Sequence, residues 1–72
     1  RECQLKITYM VQQKGKMTVY ENGNLVGCCV LENESAGEKS AVMTIKPDEK
    51  VTINLHVDEG FVRIKSLEFK YD

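Results

Sequence analysis

The chain alternates apolar and polar side chains at every position from 51 to 57. Valine, isoleucine and leucine occupy the odd positions, and Thr52, Asn54 and His56 occupy the even ones. Side chains two residues apart lie on one face of a pleated strand, so the pattern predicts a strand with one buried and one wet face. Asp58-Glu59-Gly60 follows, which is typical of a three-residue hairpin loop with a left-handed glycine. We therefore expect a β-hairpin here.

The same alternation recurs along the whole chain. It predicts further strands at 3–11, 16–21, 25–31 and 40–46, and a last strand from Val62 onward. Turns are expected at 12–15, at Asn22-Gly23 and at 47–50. The last strand changes phase near Lys65-Ser66, where a β-bulge would restore the inward face. No segment has a helical period, so we expect an all-β fold, a small antiparallel β-sandwich of about six strands without substantial helix.

Length and charge exclude several classes of protein. Seventy-two residues make one domain, 1–72, and the first residue is Arg1, so we expect a piece excised or processed from a larger protein. Ten basic and eleven acidic residues leave a net charge of -1, which gives no positive field for nucleic acid. The longest apolar run, 25–31, is too short for a membrane span. We therefore expect neither a nucleic-acid partner nor a membrane-spanning segment.

Three cysteines, Cys3, Cys28 and Cys29, leave at least one thiol unpaired. Adjacent residues of a strand point to opposite faces, so a bridge between Cys28 and Cys29 is geometrically unfavourable. Buried free thiols are the simpler interpretation, and a bridge from Cys3 to one of the other two is the alternative. Both faces of 25–31 are apolar, which predicts either a central strand covered on both sides or a contact surface for another domain or subunit.

Three passages resemble the galactose-binding-like jelly-roll domains of carbohydrate-binding modules. They are residues 5–9, the segment 17–23 that ends in Asn22-Gly23, and the closing strands 51–55 and 62–69. The resemblance covers about half the chain. It implies a jelly-roll-like sandwich, a non-catalytic role, weak carbohydrate binding, and attachment to a larger secreted bacterial protein. The implied location is extracellular or periplasmic, with the cytoplasm as the alternative.

Sugar recognition needs an aromatic ring for the C–H face of the sugar and polar groups for its hydroxyls. We select five candidate ligand-binding residues, the aromatic Tyr20 and Phe61 and the loop amides Asn22, Asn24 and Asn33. The competing interpretation is that both rings are partly buried and that the amides stabilise their own turns. The competing function is a protein interaction or assembly module that uses the apolar strand 25–31.

No pattern in the sequence indicates catalysis, a cofactor or a metal. The close acidic pairs, Asp48-Glu49 and Asp58-Glu59, are expected at opposite ends of one strand, so they fit charged turns better than a shared Ca²⁺ site. His56 is expected in solvent, and no spacing places it as a base beside Cys28 or Cys29. We therefore predict that the chain is not an enzyme and holds no cofactor.

Overall fold

The computed structural model describes residues 2–32, 37–47 and 50–71. These residues form one antiparallel sheet and no helix, which confirms the all-β prediction. No helix among them is long and apolar enough to cross a membrane. The strands are β1 (Cys3–Glu21), β2 (Asn24–Leu31), β3 (Lys39–Ile45) and β4 (Ile53–Tyr71).

The described residues form four strands where the sequence predicts six. The predicted turns at 12–15 and 58–60 lie inside β1 and β4, and each of these strands is 19 residues long. The two strands stay paired through this region, with Gln13 opposite Phe61 and Lys16 opposite Glu59. The turn-forming residues therefore bend two paired strands together and do not end them.

The bend in β1 follows from the chain connections. A straight strand of 19 residues would extend about 60 Å, whereas the longest dimension of the molecule is 37 Å. β3 ends opposite Cys3 and β4 begins opposite Glu21, at the other end of β1. The chain from Ile45 to Ile53 reaches at most about 28 Å. β1 therefore cannot run straight, and its two ends lie much nearer to each other than the ends of a straight strand would.

The bend divides the sheet into two halves with β1 at the centre of each. We call β3, β1 residues 3–9 and β4 residues 64–71 half-sheet 1. We call β2, β1 residues 15–21 and β4 residues 53–59 half-sheet 2. β4 borders β1 along its whole length, while β2 and β3 share the other side of β1. The two halves meet where Gly27 of β2 approaches the side chain of Met43 of β3.

The core lies between the two halves and is built mainly from β1. Apolar side chains at odd positions of β1 are buried, as the alternation predicts. Seven of the residues in the core are nearly inaccessible to solvent: Cys3, Leu5, Ile7, Met17, Val19, Leu31 and Ile45. The cluster combines side chains of β1 with Ile45 of β3 and with Cys29 and Leu31 of β2, so one core joins the two half-sheets.

Two local predictions are confirmed. Asn22 and Gly23 both have positive φ, 48° and 86°, as the tight turn between β1 and β2 requires. The second is the bulge near Lys65: Thr8 lies opposite Ser66 and Tyr9 opposite Ile64, which leaves Lys65 without a position in the ladder. The bulge returns Leu67 and the following odd residues to the core side of β4.

We predict that Gly15→Ala destabilises the fold by at least about 3 kcal/mol, because overpacking against a rigid neighbour is costly. A Cβ at position 15 would lie 1.7 Å from the carbonyl oxygen of Glu59, at the point where the bent strands approach each other. The matched control is Gly27→Ala, whose Cβ would meet only the flexible end of Met43, 3.0 Å away. Urea unfolding of both variants measures the difference. Equal free energies of unfolding would contradict a backbone contact at the bend.

Candidate functional site

The candidate site lies on the solvent side of half-sheet 2, which we call the outer face. Directly paired residues share a face of a sheet, so the strand pairing places side chains in rows across three strands. One row holds Leu25, Tyr20 and Asn54, and the next holds Cys28, Thr18 and His56. The outer face therefore has an apolar edge on β2, Tyr20 and Thr18 in its centre, and a polar edge on β4.

A carboxylate links the centre of the outer face to its polar edge. The hydroxyl of Thr18 donates to Oδ2 of Asp58 at 3.2 Å, and Nε2 of His56 lies 2.9 Å from Oδ1 of the same residue. Thr18 is only 8% exposed, whereas the side chains of His56 and Asp58 are 62% and 45% exposed. A buried hydroxyl thus fixes the carboxylate, and the carboxylate orients an accessible imidazole.

Tyr20 and Asn54 lie beside this cluster. They are direct neighbours across β1 and β4, where Cβ atoms lie about 5 Å apart, and His56 is the diagonal neighbour of Tyr20 at about 7 Å. Tyr20 is half-buried and Asn54 is exposed. An aromatic ring, an amide, an imidazole and a carboxylate therefore share one accessible patch.

The order of groups in the cluster determines what it can do. A nucleophilic site needs the base next to the nucleophile, with the carboxylate behind the base. Here the carboxylate of Asp58 lies between the hydroxyl of Thr18 and the imidazole of His56. The arrangement holds hydrogen-bonding groups at fixed positions on the accessible face of the sheet.

The structure brings together only some of the residues that the sequence selects. Tyr20 lies on the outer face, and Asn24 is exposed at the neighbouring turn. Phe61 is 65% exposed but pairs with Gln13 at the bend, seven residues along β1 from Tyr20, or about 20 Å. Asn33 lies outside the described residues. Tyr20 and Phe61 therefore do not form one platform.

The amide of Asn22 is engaged within the fold. Its Nδ2 donates to the carbonyl of Lys50 at 3.0 Å, and its Oδ1 accepts from the backbone N–H of Thr52 at 2.8 Å. The backbone N–H of Asn22 also donates to the carbonyl of Thr52 at 2.8 Å. This side chain therefore holds the segment that leads into β4, whereas the competing interpretation expected it to stabilise its own turn.

Sequence reasoning missed Thr18, Asn54, His56 and Asp58 as site residues. Asp58 and Glu59 belong to β4 and not to a hairpin loop. Asp48 and Glu49 lie outside the described residues, and no group of three potential metal ligands occurs within the described ranges. The period of two does place Asn54 and His56 on one face, and His56 is solvated as expected. Only the pairing of β4 with β1 reveals that this face also carries Tyr20.

The predicted cover over both faces of 25–31 is wrong. β2 pairs only with β1 within the described part of the chain, so it is an edge strand. Its outward residues Leu25 and Val30 are 65% and 61% exposed, and Cys28 is exposed beside them. Cys28 is therefore not a buried thiol, because its position in the strand directs it to the outer face. Cys3 and Cys29 are buried as expected, and all three cysteines are free.

The groups with a shifted pKa, Cys29 of β2 and Tyr9 of β1, lie on the core side of the sheet. Burial raises the pKa of the Cys29 thiol, and the neighbouring Cys28 raises it further. Burial likewise raises the pKa of Tyr9, with a smaller contribution from Cys29. Glu21 is also buried on this side, and its Oε2 has no hydrogen-bond partner among the described residues. These groups lie away from the outer face and add nothing to its polar cluster.

Comparison with known protein families, with curated proteins and with solved structures gives no match for this chain. The resemblance to galactose-binding-like domains therefore stays a prediction. The arrangement of the outer face has to be interpreted from its own residues.

We predict that one thiol reacts much faster than the other two. At pH 8, Cys28 should react with a thiol reagent at least about 100-fold faster than Cys29, because the thiolate is the reactive form and burial both shields Cys29 and raises its pKa. Mass spectrometry of partly labelled protein identifies the modified residue, and Cys28→Ser is the control. Simultaneous labelling of all three thiols under native conditions would contradict the strand orientation described above.

Proposed function

We propose that this chain is a non-catalytic binding module that recognises carbohydrate on its outer face. The observation that carries the proposal is the placement of Tyr20 directly beside Asn54 and diagonally from His56 on one accessible sheet surface. A sugar presents an apolar C–H face and a rim of hydroxyls. An aromatic ring beside oriented polar groups matches both features.

The amphipathic layout of the outer face supports this assignment. The ring of Tyr20 and the side chain of Leu25 offer contacts to the C–H face of a sugar. Asn54 donates and accepts hydrogen bonds through its amide, and Asp58 accepts them from hydroxyls. Thr18 holds the carboxylate of Asp58 in place before a ligand arrives, which lowers the entropy cost of binding.

We also propose a fold family and a cellular location for this chain. Half-sheets 1 and 2 are taken as the two layers of a small jelly-roll-like sandwich of the galactose-binding type, with their six half-strands corresponding to the six predicted strands. Such a module is attached to a larger secreted bacterial protein, in an extracellular or periplasmic location. The neutral charge balance supports a ligand without charge, such as a neutral oligosaccharide.

Titration of the ¹⁵N-labelled chain with galactose-, xylose-, mannose- and glucose-containing tetrasaccharides tests the proposal. We expect amide shifts clustered at Tyr20, Asn54 and His56. Tyr20→Ala should weaken binding about tenfold through lost stacking, and Asn54→Ala about fivefold through lost hydrogen bonds. Tyr20→Phe keeps the ring and should bind nearly as the wild type does.

Two controls locate the site. Gln4 and Thr44 form a polar pair on the solvent side of half-sheet 1, at 3.4 Å, and alanine at either position should leave affinity unchanged. Phe61→Ala should also have no effect, because Phe61 lies at the bend. Spectra that stay unchanged to 10 mM of every tetrasaccharide would refute carbohydrate binding, and shifts confined to the surroundings of Phe61 would refute the outer face as its site.

A second candidate function is a protein interaction module that uses strand 25–31. The specific observation in its favour is the exposed apolar edge of the outer face, where Leu25 and Val30 are both more than 60% exposed. Edge strands with apolar side chains are natural contact surfaces. In this case Cys28 would lie in the centre of the contact.

A photocrosslinker attached to Cys28 tests this second function in the organism's own lysate. We expect one dominant crosslinked protein, and loss of that crosslink in Leu25→Ser/Val30→Ser, whose exposed side chains contribute little to stability. The matched control places the crosslinker on Thr44→Cys in a Cys28→Ser background. Equal crosslinking from both positions, or a crosslink that survives the double substitution, would contradict a contact through β2.

A further inference from the structure

The core side chains of β1 are buried, whereas those of β4 are partly exposed to solvent. Leu67, Phe69 and Tyr71 lie directly opposite Ile7, Leu5 and Cys3, so they point to the core side of half-sheet 1. The three β1 residues are fully buried, whereas Leu67, Phe69 and Tyr71 are 39%, 44% and 50% exposed. An apolar strip of core-facing side chains therefore reaches solvent along this strand.

The same strand also has an uncovered backbone edge. β4 pairs with β1 along one edge, and within residues 2–32, 37–47 and 50–71 no strand pairs with its other edge. A long edge strand with apolar side chains offers both backbone hydrogen-bonding groups and apolar surface to an added strand. Side chains and backbone of β4 thus point to the same kind of partner, another β-strand.

The segment 67–71 is complementary to itself when two copies run antiparallel. With a two-fold axis at Phe69, Glu68 lies opposite Lys70 of the second copy, and Lys70 lies opposite Glu68 of the second copy. On the other face, Leu67 lies opposite Tyr71 of the second copy. Opposite charges directly across two strands stabilise the pairing.

Registers with the axis at Leu67, Glu68 or Lys70 lack this match. An axis at Glu68 places the two glutamates opposite each other, and an axis at Lys70 does the same with the two lysines; like charges in this position are destabilising. An axis at Leu67 places Glu68 opposite Ser66 of the second copy and forms no charge pair. Among these four registers, the charge pattern favours the one centred on Phe69.

We propose that a second copy of this chain pairs through β4, forming a symmetric dimer centred on Phe69. The contact is isologous, so each copy contributes the same strand to it. Pairing covers the exposed apolar strip of both copies with the equivalent strip of the other. It also joins half-sheet 1 of each copy into one continuous sheet.

Charge-reversal variants test this dimer by sedimentation velocity over a range of concentrations. At high concentration the wild type should sediment as a species with twice the 8.2 kDa mass of one chain. Glu68→Lys and Lys70→Glu each place like charges opposite each other twice, so each should raise the dimer dissociation constant at least about tenfold. An equimolar mixture of the two variants restores opposite charges and should dimerise as the wild type does.

Lys6→Glu is the matched control for a change within one chain. Lys6 lies opposite Glu68 on β1, so this variant disturbs the same local charge pair without altering the free edge of β4, and it should dimerise normally. Lys70 lies opposite the uncharged Gln4, so Lys70→Glu keeps the test valid if Glu68→Lys affects folding. A wild type that stays monomeric to 0.5 mM would overturn the proposal. A dimer that both single variants retain, or a mixture that stays monomeric, would overturn it as well.

Discussion

The bend of β1 is the constraint on which the rest of the structure depends. Among the strands of the described residues, β1 is the only one that pairs with all three others, and both of its edges are paired at both of its ends. The short connection between β3 and β4 can be made only if β1 bends. Once it does, odd-numbered side chains from both halves point inward and form one core. Gly15 and Gly60 permit this geometry because they have no Cβ that would clash with the opposing backbone.

Local signals in the sequence predict local features well. Asn22-Gly23 predicts a tight turn because both residues tolerate positive φ, and the phase change near Lys65 predicts a bulge because alternation must resume on the core side. The number of strands could not be predicted in the same way. Glycine at positions 15 and 60 indicates backbone freedom. Whether strand pairing continues past each glycine depends on the opposing strand, which is more than forty residues away in the chain.

The candidate site shows the same limit. Its residues are separated by up to 40 positions in the chain, from Thr18 to Asp58, and only the register between β1 and β4 brings them together. Looking for aromatic and amide side chains near turns found Tyr20, but it also selected Asn22, whose amide is occupied by Lys50 and Thr52. Residue type alone cannot distinguish an amide that closes a turn from one that faces a ligand.

Because the chain is short, binding sites are expected on the surface of this fold. The interior of this small fold is filled by side chains, so its sheet faces and strand edges are the surfaces open to a ligand. The outer face and the free edge of β4 lie on different parts of the chain, because the first uses residues 53–58 of β4 and the second uses 67–71. Pairing of two copies would therefore leave both outer faces accessible. Two linked copies of a weak site bind a repeating polymer with a higher effective concentration than either copy alone. A module with modest affinity per site would gain more from such an arrangement than from a deeper pocket, which a core of this size has no room to form.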